Sequence, residues 1–388
     1  MAATQQSVAV IGGGVVGCAT AHALARRGVA AVVLEAEPGL ALGASGANSG
    51  ILHSGFDSEP GELETRLILR SAALRGEISA ELGIPVWRCG ARLRPSGDEE
   101  RAAVLALAEN ANVNGVETHL GADGSLTVPG EAVTDPVAFV KALAQAAELG
   151  GATVRLGARV SGLGKSPGGG LSLELHSGER LSVSAAVNCA GLYADEVARL
   201  AGEDPVDLYP RKGEFLVFAP AESEQLSQIL LPVPSALGKG VLVFPTIAGE
   251  IIAGPTARER DDKRDWSVEA DARELIISRA KRTYPALERA ELIGAYAGLR
   301  PAGRERNYVI ESSRTLAGLI HVAAIRSTGL SASLAIGEHV AGMLAAEGVV
   351  ELGATRALAL SPPFPAAGAW WQRAAGHHKS LQSREGAA

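Results

Sequence analysis

Short apolar runs alternate with helix-length stretches over the opening of the chain. Residues 8–11 form a continuous apolar run of the kind a doubly buried strand needs. Gly12, Gly13 and Gly14 interrupt it, a stretch of helical length runs to about Arg27, and residues 31–34 supply a second apolar run. Strand, tight turn, helix and strand in that order predict the start of a parallel α/β sheet.

Further on, Leu63, Leu67, Leu69, Leu74 and Ile78 give residues 60–82 a mostly apolar helical face. Residues 86–95 read as a strand pair turning at Gly90. Residues 135–149 read as a helix with Asp135 as its cap and Pro136 at its first position. Strand patterns follow over 151–164 and again over 168–191, with a turn at Ser177 and Gly178 and an end at Ala190 and Gly191. Residues 206–304 are strand-rich and punctuated by prolines at 210, 220, 232, 234, 245 and 255. They predict a twisted antiparallel sheet, completed by residues from about 83 to 134. Gly329 and Leu330 open a final helix, and everything after Leu360 reads as a flexible tail. The expected division is therefore one discontinuous lobe (1–82, 135–205 and 305–360), a second lobe (83–134 and 206–304), and a tail over 361–388. No internal repeat is present.

Composition narrows the functional classes. The 388 residues are 47% hydrophobic and 20% charged, a globular balance, and the net charge of -7 argues against a nucleic-acid partner. Binding of an anion must then rest on local arginines. Cys18, Cys89 and Cys189 are odd in number with no CxxC spacing, which suits a reducing compartment without disulfide or zinc site. Residues 7–25 carry no charge apart from His22, but they contain three consecutive glycines and are followed, not preceded, by Arg26 and Arg27. No targeting segment is expected there, and a cytoplasmic location is.

Gly12, Gly14 and Gly17 form GxGxxG between strand and helix, and Glu35 stands at the end of the second strand, 18 residues after Gly17. This spacing fits a dinucleotide: the glycines admit the turn, the pyrophosphate and close helix packing, the helix opening at Val15 and Val16 faces the phosphates, and Glu35 accepts from a ribose. A nicotinamide enzyme of this build usually continues with further strand–helix units. Here residues 43–55, GASGANSGILHSG, follow instead. Their small side chains let backbone amides approach a ligand, and Ser45, Asn48 and Ser49 add polar tips, which suits FAD.

The stretch GASGANSGILHSGFDSEPGELETRL, with VNCAGLYAD, PRKGEF, YAGLRP and IRSTGLSASLAIGEHV in order behind it, resembles the FAD-dependent oxidoreductases of the D-amino acid oxidase superfamily. The likeness reaches to about Gly348 and is nearest the branch of L-2-hydroxyglutarate and glycerol-3-phosphate dehydrogenases. It implies an α/β fold with a Rossmann-like FAD-binding domain of the glutathione-reductase type and an interleaved antiparallel-sheet substrate domain. It also implies that Val160 lies against the adenine, that Ala190 and Gly191 approach the cofactor, and that Ser327, Gly329 and Leu330 face the flavin's pyrimidine end. Arg300, in GLRP, would hold a substrate carboxylate through its guanidinium fork. Where the pattern carries an acid beyond that arginine, this chain has Asn307.

His53 is the candidate general base, because oxidation of an alcohol carbon requires removal of the hydroxyl proton. A histidine here can equally bond a flavin carbonyl, cap the next helix or tether the cofactor. His321 reads as a core histidine and His22 as a packed one. A dianionic substrate needs a second cation, and Arg211, Lys212, Lys239, Arg258 and Arg304 are the candidates; Lys239, between two glycines, suits a ligand-gating turn or an exposed one. Three functions remain open: oxidation of the CH–OH of a small anion such as 2-hydroxyglutarate or glycerol 3-phosphate, an amine or amino-acid oxidase of the glycine or sarcosine type, and a non-catalytic flavin-binding protein. With no cysteine-bearing extension, electrons are expected to pass to oxygen, a quinone or a protein carrier. Trp370 and Trp371 are the one hint of a peripheral membrane contact.

Overall fold

The computed structural model describes residues 7–220, 226–234, 240–360 and 369–385. Six strands form the cofactor-side sheet in the order Val309–Ser312, Leu319–Ala323, Ala185–Asn188, Ser7–Ile11, Ala30–Leu34, Thr153–Arg155. All neighbours run parallel except Val309–Ser312, which is antiparallel to Leu319–Ala323. Both faces are buried, which explains the unbroken apolar runs. Val8, Val10, Val33, Val187 and Ile320 point into one core, packed by the helices Val15–Arg26, Leu63–Leu82, Pro136–Leu149 and Gly329–Ala346. Ala9, Ile11, Leu34, Ala186 and Leu319 point into another, covered by the antiparallel strands Val160–Lys165, Leu171–Leu175 and Arg180–Val183. The Asp135 cap is realised: its carboxylate accepts from the amides of Val137 and Ala138 at 2.9 Å, with Pro136 opening the helix.

The second large sheet is built on two long strands, Leu208–Phe218 and Leu292–Gly303, antiparallel along almost their whole length. The register sets Arg211 opposite Arg300, Gly213 opposite Gly298 and Phe215 opposite Tyr296. Alternation then assigns faces. Leu216 and Phe218 pack under the helix Ala270–Thr283, while Phe215 and Val217 join the central core. The strand pair expected around Gly90 does not form. Val86–Trp87 pairs with Ala132–Thr134, whereas Ala91–Leu93 pairs with Leu126–Val128 and Ile229–Leu231 in the large sheet. Gly90, at φ +68°, turns the chain from one sheet to another instead of back on itself.

The expected flexible tail is also corrected. Trp370–Glu385 is a helix, so Gly329–Ala346 is not the last one. Trp370 and Trp371 are 3% and 5% exposed; Trp370 meets the Tyr296 ring edge-on at 5.6 Å, and His378 stacks on Trp266 at 3.6 Å. Gly294 makes the room: an added Cβ would come 2.3 Å from the Trp371 ring. The helix docks by aromatic faces rather than by a leucine stripe, so its periodicity was not legible. The tryptophans are core, not a membrane contact.

Candidate functional site

A cavity of about 950 Å³ runs between the two sheets. At one end it is lined by the glycine turn. Gly12, at φ +113°, brings the turn so close to the neighbouring strand that a Cβ would meet the Cys189 carbonyl at 2.4 Å. Gly14, Val15 and Val16 open the first helix onto the cavity. Gly17 does not line it. It lies one turn in, where a Cβ would land 2.0 Å from the Gly12 carbonyl, so its role is to let helix and turn pack. Glu35 lines the cavity, and its carboxylate accepts from the amides of Gly13 at 2.6 Å and Glu37 at 2.8 Å. Burial pushes the Glu35 carboxyl up from its ordinary value, and those two amides pull against it. Each oxygen keeps a lone pair for a ribose. Val160, Ala190 and Gly191 complete this end, and an added Cβ at Gly191 or Gly43 would meet nothing within 4 Å.

The small-residue loop forms the middle of the wall. Its polar tips fold the loop and tie it to the first helix. Ser45 Oγ accepts from the Val15 amide at 2.9 Å, Asn48 Nδ2 donates to the carbonyls of Ala44 and Ser45, and Asn48 Oδ1 accepts from the Gly50 amide. Ser49 Oγ accepts from the Ile51 amide. All three still line the cavity. The Tyr296 hydroxyl donates to the Asn48 carbonyl at 2.7 Å, and at Gly298 an added Cβ would come 2.0 Å from the Ala47 carbonyl. The long strand is thus pressed against the loop with no room for a side chain. Ser327, Gly329 and Leu330 face the cavity from the start of the helix Gly329–Ala346, whose positive end favours negative charge. Thr328 is held by Glu64 at 2.7 Å and Tyr308 at 2.6 Å.

His53 lines the cavity with its side chain 25% exposed. Its Nδ1 lies 2.9 Å from Glu131 Oε2, and Glu131 is fully buried. Glu131 Oε1 accepts from the Ser54 amide at 2.6 Å and from the Ser54 hydroxyl at 2.8 Å. Arg75, buried beside this carboxylate, donates to the carbonyls of Leu52 and His53. Burial brings the Arg75 guanidinium down to about 10, with Glu131 opposing the shift, so it stays charged at neutral pH. Neither Glu131 nor Arg75 was recognised from sequence. Glu131 stands 78 residues from His53, directly before a three-residue strand, and no local pattern marks it.

Arg300 also lines the cavity, but its fork is partly committed. Nε donates to the Arg211 carbonyl at 3.0 Å, and Nη2 donates to the carbonyls of Lys212 at 3.2 Å and Thr256 at 2.7 Å. Nη1 takes part in none of these bonds. Gly213 makes space for the group, since a Cβ there would come 2.9 Å from Arg300 Nη2. Burial, then the charge of Arg211, lowers the Arg300 guanidinium to about 10, still a cation at neutral pH.

Most of the other candidate cations are occupied elsewhere. Lys212 points to the opposite face of the sheet, fully buried among Asp265 at 2.8 Å, Ser267 at 2.9 Å and Glu269 at 3.4 Å. Arg258 lines the cavity but is paired with Glu269 and Asp271. Arg304 pairs with Asp207 and Asp261 and sits over the Tyr209 ring. Lys239 lies outside the described residues. Asn307 accepts from the Gly303 amide at 3.1 Å, closing the turn after the long strand. His321 is a satisfied core histidine, held by Asn188 and Glu203.

The residues present fit FAD: a cavity of this size, with open backbone at Gly43 and Gly191, a helix start at Gly14 and Val15, and an acceptor at Glu35. Comparison with known proteins points the same way. Residues 7–343 match the family described as FAD dependent oxidoreductase (DAO). A glycerol 3-phosphate dehydrogenase of Caloramator mitchellensis is 30% identical over 353 residues, covering 87% of this chain and 73% of its own. An L-2-hydroxyglutarate dehydrogenase of Escherichia coli K12 is 28% identical over 292 residues, 69% of each chain. The fold is that of the L-alpha-glycerophosphate oxidase of Mycoplasma pneumoniae solved with FAD bound, with TM-score 0.82, 24% identity, and coverage of 92% of this chain and 97% of that one.

Proposed function

Because the chain belongs to the FAD-dependent oxidoreductases of the DAO family, we propose that it oxidises the CH–OH carbon of a small anion, a 2-hydroxy acid such as 2-hydroxyglutarate or glycerol 3-phosphate. The observation that carries this reading is the His53–Glu131 pair on the wall of the cavity that Arg300 also lines. FAD, when bound, supplies the two-electron acceptor for the hydride that leaves the carbon. His53 takes the hydroxyl proton. With Nδ1 committed to Glu131, that exchange falls to Nε2, and the buried carboxylate stabilises the imidazolium that results. Arg300 holds the acidic group and so fixes which carbon faces the cofactor.

Electrons then leave to oxygen, a quinone or a protein carrier. Among the described residues no helix is long and apolar enough to cross a membrane. The test is His53→Gln, assayed by anaerobic flavin reduction. Loss of a general base lowers the rate ~10²–10⁴-fold at unchanged FAD content, and a wild-type rate would contradict the assignment.

A further inference from the structure

Arg211 stands apart from the other cations of the substrate side. It lines the cavity, its Nε is buried with no hydrogen-bond partner, and it makes no ion pair with a described residue. Its register partner on one flank is Arg300. On the other flank it is Glu259, whose carboxylate accepts from the Tyr209 hydroxyl at 3.2 Å. Directly opposed residues of antiparallel strands stand ~4.5–5.5 Å apart at Cα, and like charges there repel. Two arginines therefore share one patch of cavity wall, Arg211 with a buried, unpartnered Nε and Arg300 with Nη1 outside its three bonds.

We propose that Arg211 and Arg300 form a paired seat for one doubly charged oxyanion, a phosphate monoester, with Arg211 selecting two charges over one. This rests on the reading of the site as one that oxidises a hydroxy anion. A carboxylate satisfies one fork. A phosphate monoester brings close to two negative charges and three acceptor oxygens to one point, which offsets the repulsion between the two arginines. Two carboxylates on a carbon chain carry their charges apart, whereas this seat places its cations together. The side-on edge of Arg300 is already spent on the carbonyls of Arg211, Lys212 and Thr256, so the second set of donors must come from Arg211.

The experiment uses the FAD-loaded protein and its Arg211→Gln, Arg211→Lys and Arg279→Gln variants, with FAD content and Tm measured on each. Binding of inorganic phosphate and of acetate is read from flavin absorbance and from Tm, at a pH where phosphate is a dianion. Flavin reduction is then followed with glycerol 3-phosphate and with L-2-hydroxyglutarate. The expected result is a phosphate affinity and a glycerol 3-phosphate kcat/KM lower by on the order of 30- to 100-fold in Arg211→Gln, with partial recovery in Arg211→Lys and acetate binding unmoved. Unchanged phosphate binding in Arg211→Gln overturns the seat. So does an equal loss for L-2-hydroxyglutarate, or a loss that follows Arg279, another cavity-lining arginine, instead. If no hydroxy anion reduces the wild-type flavin, the proposed function falls, and the phosphate-binding arm still decides the seat.

Discussion

Replacing Glu131 by Gln exchanges one oxygen for an amide nitrogen at almost constant volume, so it isolates what the carboxylate does for His53. The carboxylate receives the Ser54 amide at 2.6 Å and the Ser54 hydroxyl at 2.8 Å on one oxygen, and His53 Nδ1 at 2.9 Å on the other. Glutamine offers one acceptor and one donor. The Ser54 amide can only donate, so the glutamine oxygen stays with it and the NH2 faces His53. Nδ1 must then accept, and the ring proton moves to Nε2, the nitrogen assigned to proton abstraction. Flavin reduction at saturating substrate therefore falls by ~10²–10⁴-fold, the usual contribution of a positioned base. KM moves little, because Arg300 is untouched. Conversion of charge-assisted bonds to neutral ones also lowers stability by about 1–3 kcal/mol. The assay is anaerobic stopped-flow reduction of the FAD-loaded variant, with FAD content determined on the same sample. A rate within about threefold of wild type at full FAD content would refute the role of the pair.

Three other outcomes follow from the packing. Burial, with His377 adding to it and the Leu42 carbonyl opposing, holds the His378 imidazole down at about 4. Its folded value lies below its unfolded one, so the stability it contributes is whole above pH 6.5 and is lost as pH falls toward 4, by on the order of 3 kcal/mol. The helix Trp370–Glu385 then undocks in that window, red-shifting tryptophan emission, and His378→Asn abolishes the pH dependence; flat emission down to pH 4 in the wild type would contradict this. Gly298→Ala drives a Cβ to 2.0 Å from the Ala47 carbonyl, so the FAD-to-protein absorbance ratio drops and stability falls by about 1–3 kcal/mol, whereas full occupancy would show that the loop can yield. Asp135→Ala removes a cap for two amides and lowers stability by about 0.5–2 kcal/mol in urea unfolding, with flavin reduction unchanged; a lost rate would mean the cap also shapes the site.

Much of the cofactor end was legible because its physics is local. A glycine turn between two apolar runs, an acid at the second strand's end and a capped helix each fit within a few dozen residues. What pairs across the chain was not. Glu131 meets His53 through two short strands, Ile51–Leu52 and Ala132–Thr134, whose antiparallel pairing no pattern announces. The five basic residues of the substrate side looked alike in sequence. Strand register separates two of them, turning Lys212 away and setting Arg211 beside Arg300. Asn48 has a second role that no pattern announced, since its amide folds the loop while the residue lines the cavity. The helix Trp370–Glu385 was hidden because two tryptophans and a stacked histidine dock it without an apolar repeat.

Oxidation of a hydroxy anion is tested by an anaerobic absorbance titration of the wild-type protein carrying FAD, with glycerol 3-phosphate, L-2-hydroxyglutarate and glycine in turn. Bleaching of the flavin band by a hydroxy anion, and not by glycine, is the expected outcome. Bleaching by glycine alone would contradict it and leave His53 without a proton to remove.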